Sequence, residues 1–215
     1  AKINIENLRR NQSVMKPVDS RAGLSSSFRI IAIGASTGGT EAITSILKML
    51  PATVPGIVIV QHIPSGFSKM FADRLNQLCR VSVKEAKTGD YVEPGTVLIA
   101  PGDQHMRVHR VGNSYKVECY PGDRVTGHCP SVDVLFDSVA KEAGDKAIGI
   151  ILTGMGYDGS KGLLMMRRKG GRTIGQDAKS SVVYGMPKAA FEVGAVERQA
   201  PLSHIPELIN KWLLQ

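Results

Sequence analysis

Arg29-Ile30-Ile31-Ala32-Ile33 runs directly into Gly34-Ala35-Ser36-Thr37-Gly38-Gly39. Ile30 to Ile33 are apolar without alternation, the pattern of a strand buried on both faces of a parallel sheet. The glycines that follow permit a sharp turn into a helix. The same kind of run recurs at Gly56-Ile57-Val58-Ile59-Val60, Thr96-Val97-Leu98-Ile99-Ala100 and Ala147-Ile148-Gly149-Ile150-Ile151-Leu152. Amphipathic stretches of helix length lie near 39–50, 66–79, 132–143, 160–169 and 205–214. This alternation predicts an α/β fold: a doubly wound, mostly parallel sheet with helices on both faces. One stretch breaks the rhythm. Met106 to Val111 and Ser114 to Tyr120 alternate apolar and polar around Gly112-Asn113, offering Val108, Tyr115, Val117 and Cys119 to one face. That is the signature of an antiparallel hairpin insertion.

Residues 1–28 differ in character from the rest. Ala1 to Arg10 has the spacing of a short amphipathic helical piece, and Asn11 to Ser27 is polar, with Pro17, Gly23 and a serine run. This composition predicts an interdomain linker over 1–28 ahead of one catalytic domain over 29–215.

The chain of 215 residues is 42% hydrophobic, enough for one sizeable core. No apolar run is long enough to span a bilayer, and no secretory signal pattern is present. Cys79, Cys119 and Cys129 are odd in number and widely spaced, which argues against a disulfide framework or a zinc site and for a reducing cytoplasm. The net charge is +8, but the basic residues are scattered and aromatics are only 5%, a poor platform for nucleic acid. A solvated basic surface or an acidic protein partner fits better.

Three of the apolar runs lead into a chemically competent residue: Ser36 after the first, His62 after the second, and Asp158 in the loop Thr153-Gly154-Met155-Gly156-Tyr157-Asp158-Gly159 after the fourth. Parallel α/β sheets bind ligands beyond the carboxyl ends of their strands, so the three can meet despite their separation in sequence. A serine hydroxyl needs an adjacent base to act as a nucleophile. His62 can take its proton and return it to a leaving group, and Asp158 can orient the imidazole. The N–H groups of Thr37, Gly38 and Met155 are candidates for stabilising an oxyanion. Singly, each has an ordinary explanation: Gly34 to Gly39 as a phosphate-binding turn, His62 as a strand-end histidine, Asp158 as a turn residue or helix cap. Together at strand ends they favour a serine hydrolase. Two rivals stand beside it. One is an α/β-hydrolase-type esterase using His204, although Ser203 reads as the N-cap of the last helix and His204 as a surface residue. The other is a non-enzymatic phosphate- or nucleotide-binding module. His105 follows a strand end and either lines the cleft or shapes its loop. His128 either caps the next helix or borders the site, and His109 sits in the hairpin. Cys79 and Cys119 read as structural, and Cys129 as a nucleophile without a partner base.

Several motifs resemble the protein-glutamate methylesterases of bacterial chemotaxis, the CheB family. They are Ile33 to Thr40, Val60-Gln61-His62-Ile63-Pro64, Ile99 to Met106, Pro130-Ser131-Val132-Asp133-Val134-Leu135-Phe136, Leu152 to Gly159 and Val183 to Ala189. The resemblance covers about 29–215. It implies Ser36, His62 and Asp158 as the catalytic triad, with Thr37 and Met155 at the oxyanion site or cleft. It implies hydrolysis of methylglutamate on chemoreceptor cytoplasmic helices, deamidation of receptor glutamines by the same acyl chemistry, and no metal or organic cofactor. It also implies an upstream receiver domain, of which 1–28 would be the connecting linker, and a cytoplasmic protein not inserted in the membrane. Cys129 departs from the pattern, which often has a basic residue there; this bears on loop and substrate contacts rather than on the triad.

Overall fold

The structure, a computed structural model, describes residues 29–215; the linker expected over 1–28 lies outside the described residues. In chain order the elements are β1 (Ile30–Ala35), α1 (Gly39–Met49), β2 (Gly56–Gln61), α2 (Phe67–Leu78), β3 (Ser82–Glu85), β4 (Thr96–Ile99), β5 (His105–Val111), β6 (Ser114–Tyr120), α3 (Val132–Ala143), β7 (Ala147–Ile151), α4 (Ser160–Arg168), β8 (Arg172–Gln176), α5 (Met186–Glu192), β9 (Arg198–Ala200) and α6 (Ile205–Leu213).

Seven strands form one parallel sheet in the order β3-β4-β2-β1-β7-β8-β9. The continuous apolar runs are its central strands, and their residues divide by alternation between two cores. Ile31, Ile33, Ile57 and Ile59 face the layer of α1, α2 and α6. Ile30, Ala32, Val58 and Val60 face the layer of α3, α4 and α5. Both sides of these strands are buried, which is why neither shows polar alternation.

The expected hairpin is present as a separate two-stranded sheet of β5 and β6. Met106, Val108, Tyr115 and Val117 turn one face of it into the second core. Its outer backbone is satisfied by α3: Val108 N–H donates to Ser138 Oγ at 3.0 Å and Arg110 N–H to Glu142 Oε2 at 3.0 Å. An exposed strand edge is thereby closed to further pairing.

The chain leaves β1 toward β2 on one side and places β7 on the other. The sheet therefore reverses its winding direction between β1 and β7, and a crevice opens there beyond the strand ends. Two glycines let α3 approach that crevice. A methyl group on Gly34 would overlap Val132, and one on Gly159 would come 2.5 Å from Val132 Cγ1. The first residue of α3 thus packs directly against the end of β1 and the loop after β7.

Candidate active site

β1 and β2 are adjacent and parallel, with Ala35 opposite Gln61. The next pair in register is Ser36 and His62, and His62 N–H donates to Ala35 O at 3.0 Å. Neighbouring strands lie about 4.8 Å apart, so the register alone sets the serine and the histidine side by side. The serine backbone is fastened from both flanks. From β2, Gln61 Nε2 donates to Ser36 O at 2.9 Å and to His62 O at 3.1 Å. After β7, Thr153 accepts Ser36 N–H through its carbonyl at 3.0 Å and donates its hydroxyl to Thr37 O at 2.9 Å. Gly38 has a φ of 79°, the left-handed turn that releases the chain into α1.

His62 Nε2 lies 2.8 Å from Asp158 Oδ2, and the aspartate side chain is fully buried. Asp158 accepts five hydrogen bonds. Oδ2 receives His62 Nε2 and Val132 N–H (2.7 Å), and Oδ1 receives the hydroxyls of Thr126 (2.6 Å) and Ser131 (2.8 Å) and Asp133 N–H (3.0 Å). Asp158 therefore caps α3 from 26 residues away in sequence. Burial pushes its carboxyl up, but the hydrogen bonds from His62, Thr126, Val132 and Asp133 outweigh this and bring it down to about 2.

An ionised carboxylate only accepts, so His62 Nε2 must carry the ring proton. The lone pair is then on Nδ1, which is buried and has no hydrogen-bond partner among the described residues. The bond between Ser36 and His62 is accordingly not formed in this structure. Such catalytic hydrogen bonds tighten when substrate enters. Gly154 closes the other side of the serine: a methyl group there would come 2.7 Å from Ser36 Cβ. Among the described residues, no acceptor engages the N–H of Thr37, Gly38 or Met155. The expected oxyanion donors are thus unspent, and Met155 stands 71% exposed.

The other histidines separate cleanly. His105 is buried; its Nε2 donates to Asp123 O at 2.8 Å and its Nδ1 accepts Ser131 N–H at 3.2 Å, so it shapes the loop that carries Ser131. His128 does not cap a helix. It borders the site, its ring stacked on His62 with centroids 3.7 Å apart and planes 10° apart. His109 pairs with Glu118 in the hairpin. His204 is exposed in the turn after β9 and hydrogen-bonds to neither Ser36 nor Asp158. Ser203 does not cap α6; the N-cap is His204 itself, which contacts Ser203 Oγ through Nδ1 at 3.2 Å. All three cysteines are free thiols, and burial pushes each of them up, Cys119 to about 12. That disfavours a thiolate nucleophile at Cys129. Among the described residues no group of three or more His, Cys, Asp or Glu could hold a metal ion, and no helix is long and apolar enough to cross a membrane.

Sequence reasoning did not single out Gln61, Thr126, Ser131 or Thr153 as supports. Gln61, Ser131 and Thr153 lie inside the motifs that carry the resemblance, and Gln61 ends β2 beside His62.

The Asp158 carboxyl also predicts an acid limit to stability. Its folded value is depressed from 3.8 to about 2, so its contribution is complete above about pH 4 and is lost as pH falls through 2. Denaturant titrations should show about 2 kcal/mol of stability disappearing across that window, with no pH dependence from this group between pH 5 and 8.

Fold and site together define a class: a doubly wound α/β protein whose carboxyl edge gathers a serine, a histidine–aspartate pair and free backbone N–H groups, the layout that serine hydrolases use. The CheB methylesterase profile matches residues 31–209, and the chain belongs to that family. Over 186 residues it is 60% identical to a protein-glutamate methylesterase/protein-glutamine glutaminase 2 of Syntrophomonas wolfei, covering 86% of this chain and 54% of that protein. It is 52% identical over 192 residues to a protein of the same activity name from Escherichia coli K12, covering 89% and 55%. The crystal structure of the Thermotoga maritima CheB methylesterase catalytic domain superimposes with a TM-score of 0.83 at 38% identity, covering 86% of this chain and 98% of that one. The chain spans about half the length of the curated relatives it matches.

Proposed function

We propose that this domain is a protein-glutamate methylesterase that also deamidates glutamine, acting on chemoreceptor cytoplasmic helices in the cytoplasm as the output step of chemotactic adaptation. Ser36 is the nucleophile, His62 the base, and Asp158 the residue that fixes the imidazole. The observation that carries the reading is the His62–Asp158 hydrogen bond at 2.8 Å, one register step from Ser36, in a member of this family.

Ser36 Oγ attacks the carbonyl carbon of the side-chain ester while its proton passes to Nδ1 of His62. The carbonyl oxygen gathers negative charge and is met by the N–H groups of Thr37, Gly38 and Met155. One such donor contributes about 3 kcal/mol to the transition state. Collapse expels the methoxy group, which takes the proton from His62 and leaves as methanol. Water then attacks the acyl-serine by the same route and releases glutamate. With glutamine the leaving group is ammonia. The net charge of +8 suits a substrate surface that becomes more acidic with each turnover.

An upstream receiver domain, joined through 1–28, is part of the same reading. The test is methanol release from methylated receptor membranes, together with covalent labelling by a phosphonate probe. Methanol should appear with wild type and the adduct should map to Ser36. Tight nucleotide binding without labelling would favour the phosphate-binding alternative for the Gly34–Gly39 turn.

A further inference from the structure

One short turn touches both partners of the His62–Asp158 pair and belongs to no strand of the main sheet. Val125 and His128 exchange backbone hydrogen bonds at 3.0 Å each, with Thr126 at φ 53° and Gly127 at φ 84° between them. Two successive positive φ values define a type I′ turn, which favours Asn-Gly or Gly-Gly at its centre. Gly127 meets that demand, but Thr126 does not. A β-branched residue is disfavoured in the left-handed region and persists there only when its surroundings hold it. What holds Thr126 is Asp158: the hydroxyl lies 2.6 Å from Oδ1, an ionised acceptor that outcompetes the Val125 carbonyl for its single proton.

The other end of the turn lays the His128 ring flat on His62, 3.7 Å away. The hydrogen bond to Asp158 pins His62 at Nε2 but leaves the ring free to tilt about that point. A parallel face removes that freedom. The groups facing His128 are His62, Asp158 and Arg124. Burial first, then the charges of His62 and Arg124, push His128 down, while Asp158 pushes it up. A neutral ring can stay stacked on an imidazole that becomes positive during turnover.

We propose that the Val125–His128 turn is a positioning element for the catalytic pair, in which Thr126 anchors the Asp158 carboxylate and His128 fixes the plane of His62 so that Nδ1 stays presented to Ser36. This rests on reading Ser36 and His62 as nucleophile and base. The turn itself takes no proton and touches no reacting atom.

The experiment compares His128→Ala, His128→Phe, Thr126→Ala and Thr126→Ser in ester hydrolysis against pH, alongside ¹⁵N NMR of the His62 ring. His128→Ala should lower kcat about 10- to 100-fold with KM little changed, a loss of the size expected from misorientation. Its acid limb should move to higher pH, because water reaches an uncovered imidazole. His128→Phe keeps a flat cover and should restore most of kcat and the wild-type limb. Thr126→Ala should lose about tenfold and Thr126→Ser should recover it. In the NMR spectra both proteins should show the proton on Nε2, since Asp158 still accepts it, but the ring signals of His128→Ala should be broadened by the tilting that the stacked face no longer prevents. A His128→Ala protein with wild-type kcat, pH profile and His62 ring line widths overturns the proposal, as does a His128→Phe protein no better than alanine. If Ser36→Ala still hydrolyses the ester, the hydrolase reading itself has failed, and the NMR comparison decides the positioning role on its own.

Discussion

Replacing Ser36 or His62 by alanine is expected to lower kcat for ester hydrolysis by about five to six orders of magnitude, and replacing both should lower it little further. As the proposed nucleophile and base, the two would act as one unit. Without the imidazole the hydroxyl keeps its proton, and without the hydroxyl the imidazole has nothing to activate. The residual rate should remain about a thousandfold above the uncatalysed reaction, because the proposed oxyanion donors, the N–H groups of Thr37, Gly38 and Met155, are left in place. Neither loss should come from unfolding. Ser36 is half-buried and its side chain makes no hydrogen bond to a described residue. In His62→Ala, Asp158 keeps four of its five donors. Methanol release measured for both single variants and the double variant checks this, with His204→Ala as control. His204 is exposed and hydrogen-bonds to neither Ser36 nor Asp158, so its loss should leave the rate unchanged. Losses at Ser36 and His62 that multiply, or a large loss at His204, would sink the assignment.

The parts of the fold that could be read in advance are those where burial alone dictates residue type. The runs that became β1, β2, β4 and β7 are aliphatic because both faces meet core, and two of them fix the Ser36–His62 register. The parts that could not be read are stabilised by long-range polar partners. Arg172-Thr173-Ile174-Gly175-Gln176 has one aliphatic side chain, yet it is the strand β8. Thr173 is buried because its hydroxyl donates to Ala195 O at 2.7 Å, and Gln176 because it accepts Thr153 N–H at 2.8 Å and donates to Ser180 O at 2.8 Å. β3 and β9 are short edge strands, and α5 is a seven-residue helix entered through Met186-Pro187. Their pattern is too brief to show a period. The support of Asp158 was hidden for the same reason. Thr126 lies in a loop without periodicity, and the cap of α3 comes from a residue 26 positions further along the chain.

That hidden support makes Asp158→Asn the most informative single change after the nucleophile and base. The two side chains have nearly the same shape, but the amide must turn an NH2 group toward one set of the donors that now surround the carboxylate. Facing Thr126 and Ser131, it meets hydroxyls that can rotate and accept, but also the fixed N–H of Asp133. Facing the other way, it meets the fixed N–H of Val132 and forces His62 to accept at Nε2. The ring proton then moves to Nδ1, the atom that must receive the serine proton. kcat should fall about 10⁴-fold at neutral pH. Either orientation leaves a buried donor facing a donor at the start of α3, so about 3 kcal/mol of stability should go as well. The variant should also lose the stability change between pH 4 and pH 2, because no carboxylate remains to be protonated. Activity and denaturation measured on the same preparation separate the two effects. A variant with the neutral-pH activity of wild type would remove Asp158 from the catalytic unit, and an unaltered acid transition would assign that transition to another carboxylate.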